Sequence, residues 1–246
     1  VGLANTILNV YLAVFLAIGV GGTALIARSL GAGQKEKARQ YARQTQELSI
    51  AGGIVFGFIS IFFGRWMLQA MGASGSALED AQVFFYWVGG FSLLHASMTS
   101  LGTILRATGD TVTPMKVGII TNVTNVLLDY FLIFGFGSWD GLGILGTALG
   151  TIFARLLGCY LLTREVQKSE LALSFQKSRL WKDYQELVHL TIPAALERLV
   201  MRLGQVIYFS LIVALGTTVY ASHMIAGNIE SFTYMPAYGL ATAAAV

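Results

Sequence analysis

Leu105–Arg155, LRATGDTVTPMKVGIITNVTNVLLDYFLIFGFGSWDGLGILGTALGTIFAR, is the stretch whose reading decides the fold. It reads as two apolar spans joined by a short glycine-rich turn, with Asp129 well inside the first span. An ionisable side chain at membrane depth costs several kcal/mol unless it has partners, so Asp129 is a functional-site candidate. Residues four apart share a helix face, which puts Asn125 beneath Asp129, with Asn122 and Thr121 on the same arc. Counting outward from Ser138 as the centre of the turn sets Asp129 level with Thr147, and Asn125 level with Thr151, on an antiparallel partner helix. Gly146 and Gly150 form a small-xxx-small pair that lets the two helices approach closely. A carboxylate, an amide and two hydroxyls at one depth suit a hard cation such as sodium, and a desolvated carboxylate suits a proton equally. The competing reading is that these polar groups only join helices. It is preferred for Asn125 alone, but not for the carboxylate with hydroxyls at its level.

Composition agrees with a membrane bundle. Hydrophobic residues make up 55% and charged residues only 12%, against about a quarter charged in soluble domains. The 28 glycines beside 3 prolines fit closely packed helices rather than the short alternating segments of a β-barrel. The single cysteine, Cys159, rules out an internal disulfide and a cysteine-based metal cluster. The net charge of +3 is no nucleic-acid footprint, because the cations gather between spans.

Seven spans are expected, at about 1–27, 46–70, 82–105, 113–136, 142–163, 186–214 and 219–246. Lys and Arg fall in the first, third and fifth loops (Arg28, Lys35, Lys37, Arg39 and Arg43; Arg106 and Lys116; Arg164 to Lys182). Glu79, Asp80 and Asp140 fall in the others, with Arg65 at a flank. By the positive-inside rule the odd loops face the cytoplasm, and Asp129 and Thr147 lie in the outer half of the membrane. The chain starts and stops within apolar runs, so part of a larger bundle is expected. The long loop at about 165–184 suits an amphipathic segment on the inner membrane surface.

Other polar groups in the spans carry two readings each. Glu197, with Arg198 and Arg202 nearby, reads as an ion pair or as a transport residue. Glu230, with Asn228, Ser231 and Thr233 around it, reads as a cavity-lining acid or a structural one, and Pro236 is expected to break the helical ladder beyond it. Arg155 either pairs with an acid or snorkels inward. His95 and His223, near span ends, read as structural. Met201, Met224, Met235, Tyr234 and Tyr238 suit an adaptable apolar wall or plain packing.

Several separated motifs in order, GGTALIARSLGAGQKEKA, LRATGDTVTPM, NVLLDYFLIFG, GILGTALGTIFAR, IPAALE and ASHMIAGNIESFTYMP, resemble the multidrug and toxic compound extrusion (MATE) family of secondary transporters. The resemblance implies an all-α polytopic bundle of twelve helices in two lobes, of which this chain would hold the second to eighth. Residues 1–165 would then be most of the amino-terminal lobe, 166–184 the inter-lobe loop and 185–246 the start of the second lobe. In cation-coupled members the site combines a first-helix aspartate with an asparagine, an aspartate four later and a threonine on the next helix. The last three match Asn125, Asp129 and Thr147, which would hold sodium in a sodium-coupled member. The first-helix aspartate has no counterpart here. Other members place a glutamate on the seventh helix, where Glu197 stands nearer the start.

The expectation is a monomeric, multi-pass antiporter in a bacterial cell membrane. It exports small organic, often cationic, compounds against sodium ions or protons, without a cofactor, enzymatic activity or nucleic-acid partner. A lipid-linked saccharide flippase is the alternative. A membrane-embedded enzyme would need a nucleophile, base and ligands at one depth, and three scattered histidines do not supply them.

Overall fold

The computed structural model describes residues 2–71, 73–135, 140–172, 184–214 and 217–244. They form eight helices: α1 Gly2–Gly31, α2 Lys35–Ala70, α3 Gly75–Gly90, α4 Ser92–Ala107, α5 Val112–Phe134, α6 Ile144–Lys168, α7 Gln185–Ala214 and α8 Thr217–Ala244. α1, α2, α5 and α6 are each long and apolar enough to cross a bilayer. The third expected span, 82–105, is not one helix. Its two parts, α3 and α4, meet at 48° around Phe91. α7 and α8 occupy the last two expected spans, and each runs on through its proline, Pro193 and Pro236, which removes one backbone donor without ending the helix.

Close contacts divide the chain into Val1–Ala195 and Leu196–Val246. The division falls inside α7 rather than in the preceding loop because the first turns of α7 dock on the first unit. Leu187 is fully buried among Leu25, Tyr41 and Val166, and the Tyr41 hydroxyl donates to Glu186. The amphipathic segment expected before α7 falls largely on 173–183, and the Ser138 turn on 136–139, both outside the described residues.

Within the first unit, α2 supplies the central seam. Ala38, Ala42, Thr45, Ser49, Gly53, Gly57, Ser60, Gly64 and Leu68 recur every three or four residues and are all buried, making one continuous face. A methyl group on Gly57 would sit 2.6 Å from the Gly90 carbonyl oxygen, and one on Gly53 would sit 2.6 Å from Leu93 Cα. The bend between α3 and α4 is therefore seated directly on the glycines of α2. The Ser92 hydroxyl donates to the Gly89 carbonyl at the bend. His95, expected near a span end, lies instead just past this bend, in mid-span.

Large apolar side chains form two layers. One, near the basic loops, includes Ile26, Leu101, Ile104, Leu162 and Leu187; the other, at the opposite end, includes Phe15, Leu68, Phe84, Phe85 and Val88. Between them contacts are small or polar. A methyl group on Gly22 would strike Thr45, one on Gly19 would come within 2.8 Å of the Thr103 hydroxyl, and Ser100 donates to Gln46 Oε1. Phe62, Trp66, Val126, Phe134 and Tyr160 point outward. Lipid tails are as apolar as these side chains, so helix association rests on close packing and internal hydrogen bonds rather than on apolar burial.

Both described turns at the basic end use one device. Gly33 at φ 72° ends α1, with Gly33 N–H donating to the Leu30 carbonyl (2.9 Å) and Gln34 N–H to that of Ser29 (2.9 Å). Gly109 at φ 87° ends α4 in the same way, through Gly109 N–H to Arg106 (3.0 Å) and Asp110 N–H to Leu105 (3.2 Å). Asp110 then opens α5 by accepting the Thr113 N–H at 2.9 Å. Thr113, first through its side chain and then its backbone, holds the Asp110 carboxyl below the usual carboxylate range. Lys35, Lys37, Arg39 and Arg43, expected in a loop, form the first turns of α2, since nothing after Gly33 interrupts the helix.

Candidate cation site between α5 and α6

The pairing of α5 with α6 is set by three glycines on α6. A methyl group on Gly146 would lie on the Leu132 carbonyl oxygen, and one on Gly150 would lie on Asp129 Oδ1. One on Gly158 would lie 2.8 Å from the Thr121 hydroxyl. These residues repeat at four-residue multiples, and with Ala154 they make a face without side chains long enough to hold the helices apart.

Asp129 is partly buried and rests on the Gly150 backbone. One turn away along α5, Asn125 Nδ2 donates to Asp129 Oδ1 at 3.2 Å. The amide thus pairs with one carboxylate oxygen, and no salt bridge to Asp129 exists among the described residues.

Thr147 and Thr151 stand on the stripe next to the glycines, and the Thr151 hydroxyl donates to the Thr147 carbonyl at 2.8 Å. The register differs from the count around Ser138. Asp129 lies against Gly150, three residues further along α6 than Thr147, a difference of about 4.5 Å at 1.5 Å per residue. A symmetric count assumes a turn that adds equally to both helices; here the glycine contacts set the register instead. Among the described residues no hydrogen bond joins Thr147 to Asp129. Asp129, Asn125 and the backbone at Gly150 come together, while the threonines stand on the neighbouring stripe of α6.

On the second unit, Glu197 and Met201 follow one another on an exposed face of α7, and Glu230 and Tyr234 do so on α8. The side chains of Met224, Asn228 and Tyr238 lie outside the described residues. Arg155, for which the sequence offered two fates, lines a cavity with His95, Asn5 and Asn9. The four-residue spacing of Thr147, Thr151 and Arg155 places them on one stripe of α6, a signal available in the sequence that the hairpin count passed over.

A bundle whose spans turn apolar side chains outward, with an acid and an amide paired inside, defines a polytopic helical integral membrane protein. The chain belongs to the MatE family, whose model matches residues 1–131. It is similar to the probable multidrug resistance protein NorM of Thermotoga maritima, 31% identical over 99% of this chain and 53% of that protein. It is also similar to the uncharacterized transporter YisQ of Bacillus subtilis, 30% identical over 94% of this chain and 52% of that protein. Among solved structures, the outward-facing conformation of a multidrug resistance MATE family transporter of the MOP superfamily superposes with a TM-score of 0.88 at 22% identity. The superposition covers 99% of this chain and 54% of that one. The Vibrio cholerae MATE transporter VcmN in its bent form gives 0.83 at 25% identity, over 94% of this chain and 52% of that one. The chain spans about half the length of the curated relatives it matches.

Proposed function

We propose that this chain serves in a cation-coupled antiporter of a bacterial cell membrane, exporting small organic, often cationic, compounds while sodium ions or protons enter. The observation that carries the reading is the Asp129 carboxylate, seated on Gly150 and bonded by Asn125 between two membrane helices. A carboxylate in that position, with no cationic side chain to neutralise it among the described residues, is stabilised by a proton or a hard metal cation. The family membership and the multidrug resistance names of relatives support the export of organic compounds.

Coupling needs only that ion and solute favour different conformations. An ion that binds one state better shifts the population toward it, and the reciprocal effect on solute affinity expels the solute. Thr147 and Thr151, on the neighbouring stripe of α6, are the further oxygen ligands proposed for the ion. Glu230 and Glu197, with Met201 and Tyr234, are the residues proposed for a solute cavity in the rest of the bundle.

The test is export of a cationic dye from vesicles carrying the full-length protein, under an imposed sodium or pH gradient. Asp129→Asn keeps the shape and removes the charge, and is expected to abolish gradient-driven export with the protein still in the membrane. Export by Asp129→Asn equal to wild type overturns the assignment.

A further inference from the structure

A second polar feature opens from the Thr147–Thr151–Arg155 stripe of α6, toward α1 and α4. A cavity of about 110 Å³ opens between α1, α4 and α6, with Arg155, His95, Asn5, Asn9, Tyr11 and Ser92 on its polar wall. Its volume equals three to four waters at about 30 Å³ each, enough for a carboxylate and the start of a ring. The Ser92 hydroxyl is taken by the Gly89 carbonyl, and the His95 ring is held edge-on to Phe15 at 6.2 Å between centroids. Cys159, one turn beyond Arg155, donates to the Leu94 carbonyl at 3.1 Å and ties this stripe of α6 to α4 beside His95. The floor of the cavity is thereby fixed, while Asn5 and Asn9, one turn apart, stand exposed at its lip.

The charge of this cavity is one-sided. None of the described residues lining it is acidic, and Arg155 forms no salt bridge among the described residues. A guanidinium in the middle of a membrane helix bundle without a counter-charge is costly, and the group that relieves it best is a carboxylate, gripped by two parallel N–H bonds. The lip amides supply neutral donors for the remaining lone pairs.

We propose that the Arg155 cavity is a binding site for the carboxylate of a small aromatic or aliphatic acid, or of a zwitterionic solute. Arg155 holds the anion, His95 and the Asn5 and Asn9 amides orient it, and Phe15 and Leu12 receive the apolar remainder. The proposal does not depend on the cation role given to Asp129, because it concerns equilibrium binding without an ion gradient.

The test compares benzoate with benzamide, which has the same shape without the charge, by the thermal midpoint of the full-length protein in detergent. Benzoate is expected to raise the wild-type midpoint with rising concentration, and benzamide to leave it unchanged. Arg155→Gln is expected to weaken benzoate binding at least about tenfold, the equivalent of about 1.4 kcal/mol, and Arg155→Lys to weaken it less. Should Arg155→Gln fail to fold, Asn9→Ala at the exposed lip decides, with weakened benzoate binding expected. The proposal is overturned if benzoate and benzamide act alike on wild type, as they would if an acid from elsewhere in the protein fills the cavity. It is equally overturned if the benzoate shift persists undiminished in Arg155→Gln or, where that variant does not fold, in Asn9→Ala.

Discussion

Gly150→Ala tests the proposed cation site without replacing any of its polar side chains. The added methyl would overlap Asp129 Oδ1, while the nearest backbone atom, Asp129 N at 3.3 Å, need give by only a few tenths of an ångström. The obstruction is thus the end of a rotatable side chain, which relieves the clash by turning away from Asn125. Moving the oxygen to ordinary contact takes about 1 Å or more, given that non-bonded heavy atoms prefer roughly 3.5–4.0 Å. That displacement breaks the 3.2 Å bond from Asn125 Nδ2. Overpacking of this kind costs typically about 1–3 kcal/mol, so the protein should remain folded with a lowered thermal midpoint. Gly146→Ala is the contrasting change. Its methyl meets the Leu132 carbonyl oxygen and, at 2.6 Å, the Leu132 carbonyl carbon, so only separation of the helices relieves it. Gly118→Ala, which meets nothing within 4 Å, is the control. In vesicles with full-length protein, dye export driven by a sodium or pH gradient should collapse in Gly150→Ala, and membrane insertion should persist. The midpoint should fall further in Gly146→Ala, and Gly118→Ala should behave as wild type. Gradient-driven export at the wild-type rate in Gly150→Ala would refute the reasoning, since the carboxylate would then have no need of its observed seat.

Three further outcomes follow from the packing. Asp110→Ala removes the acceptor for Thr113 N–H and should destabilise the start of α5 by about 1 kcal/mol, measured by thermal unfolding in detergent. Because the Asp110 carboxyl sits below its ordinary value, its contribution is complete above the unfolded value of about 3.9 and is lost as pH falls through the lower folded value. The difference between wild type and Asp110→Ala should therefore shrink only below about pH 4. Tyr41→Phe removes the hydroxyl donating to Glu186 and should weaken docking of the first turns of α7 by about 1–2 kcal/mol, read as faster amide exchange over 185–190. Gly57→Ala presses a methyl onto the Gly90 carbonyl oxygen at 2.6 Å and should lower stability by about 1–3 kcal/mol, with an unchanged midpoint as the refuting result.

The sequence made the α5–α6 hairpin readable because its signals are local. A lone acid in an apolar run, an amide one turn earlier and glycines four apart on the next helix are visible without knowing any distant contact. The register was not readable, since it depends on which α5 atoms the three α6 glycines touch. The bend at Phe91 was hidden for a similar reason. Gly89 and Gly90 sit in an otherwise continuous apolar run, and the bend is seated on Gly53 and Gly57, more than thirty residues earlier in the chain. Arg155 left two options in the sequence because the vacant space beside it is made by side chains of α1 and α4. The boundary inside α7 also rests on distant partners, Tyr41 and the apolar layer around Leu187.

The row of glycine, alanine and serine along α2 meets the backbone at Leu93 and Gly90 directly and carries few long side chains to be immobilised when the helices meet. Exchanging native lipid for detergent, which alters the medium outside, leaves such a contact much as it was. Enlarging one of these residues harms it even when the newcomer is more oil-soluble. Residue volume, more than polarity, is the quantity to which this helix should answer.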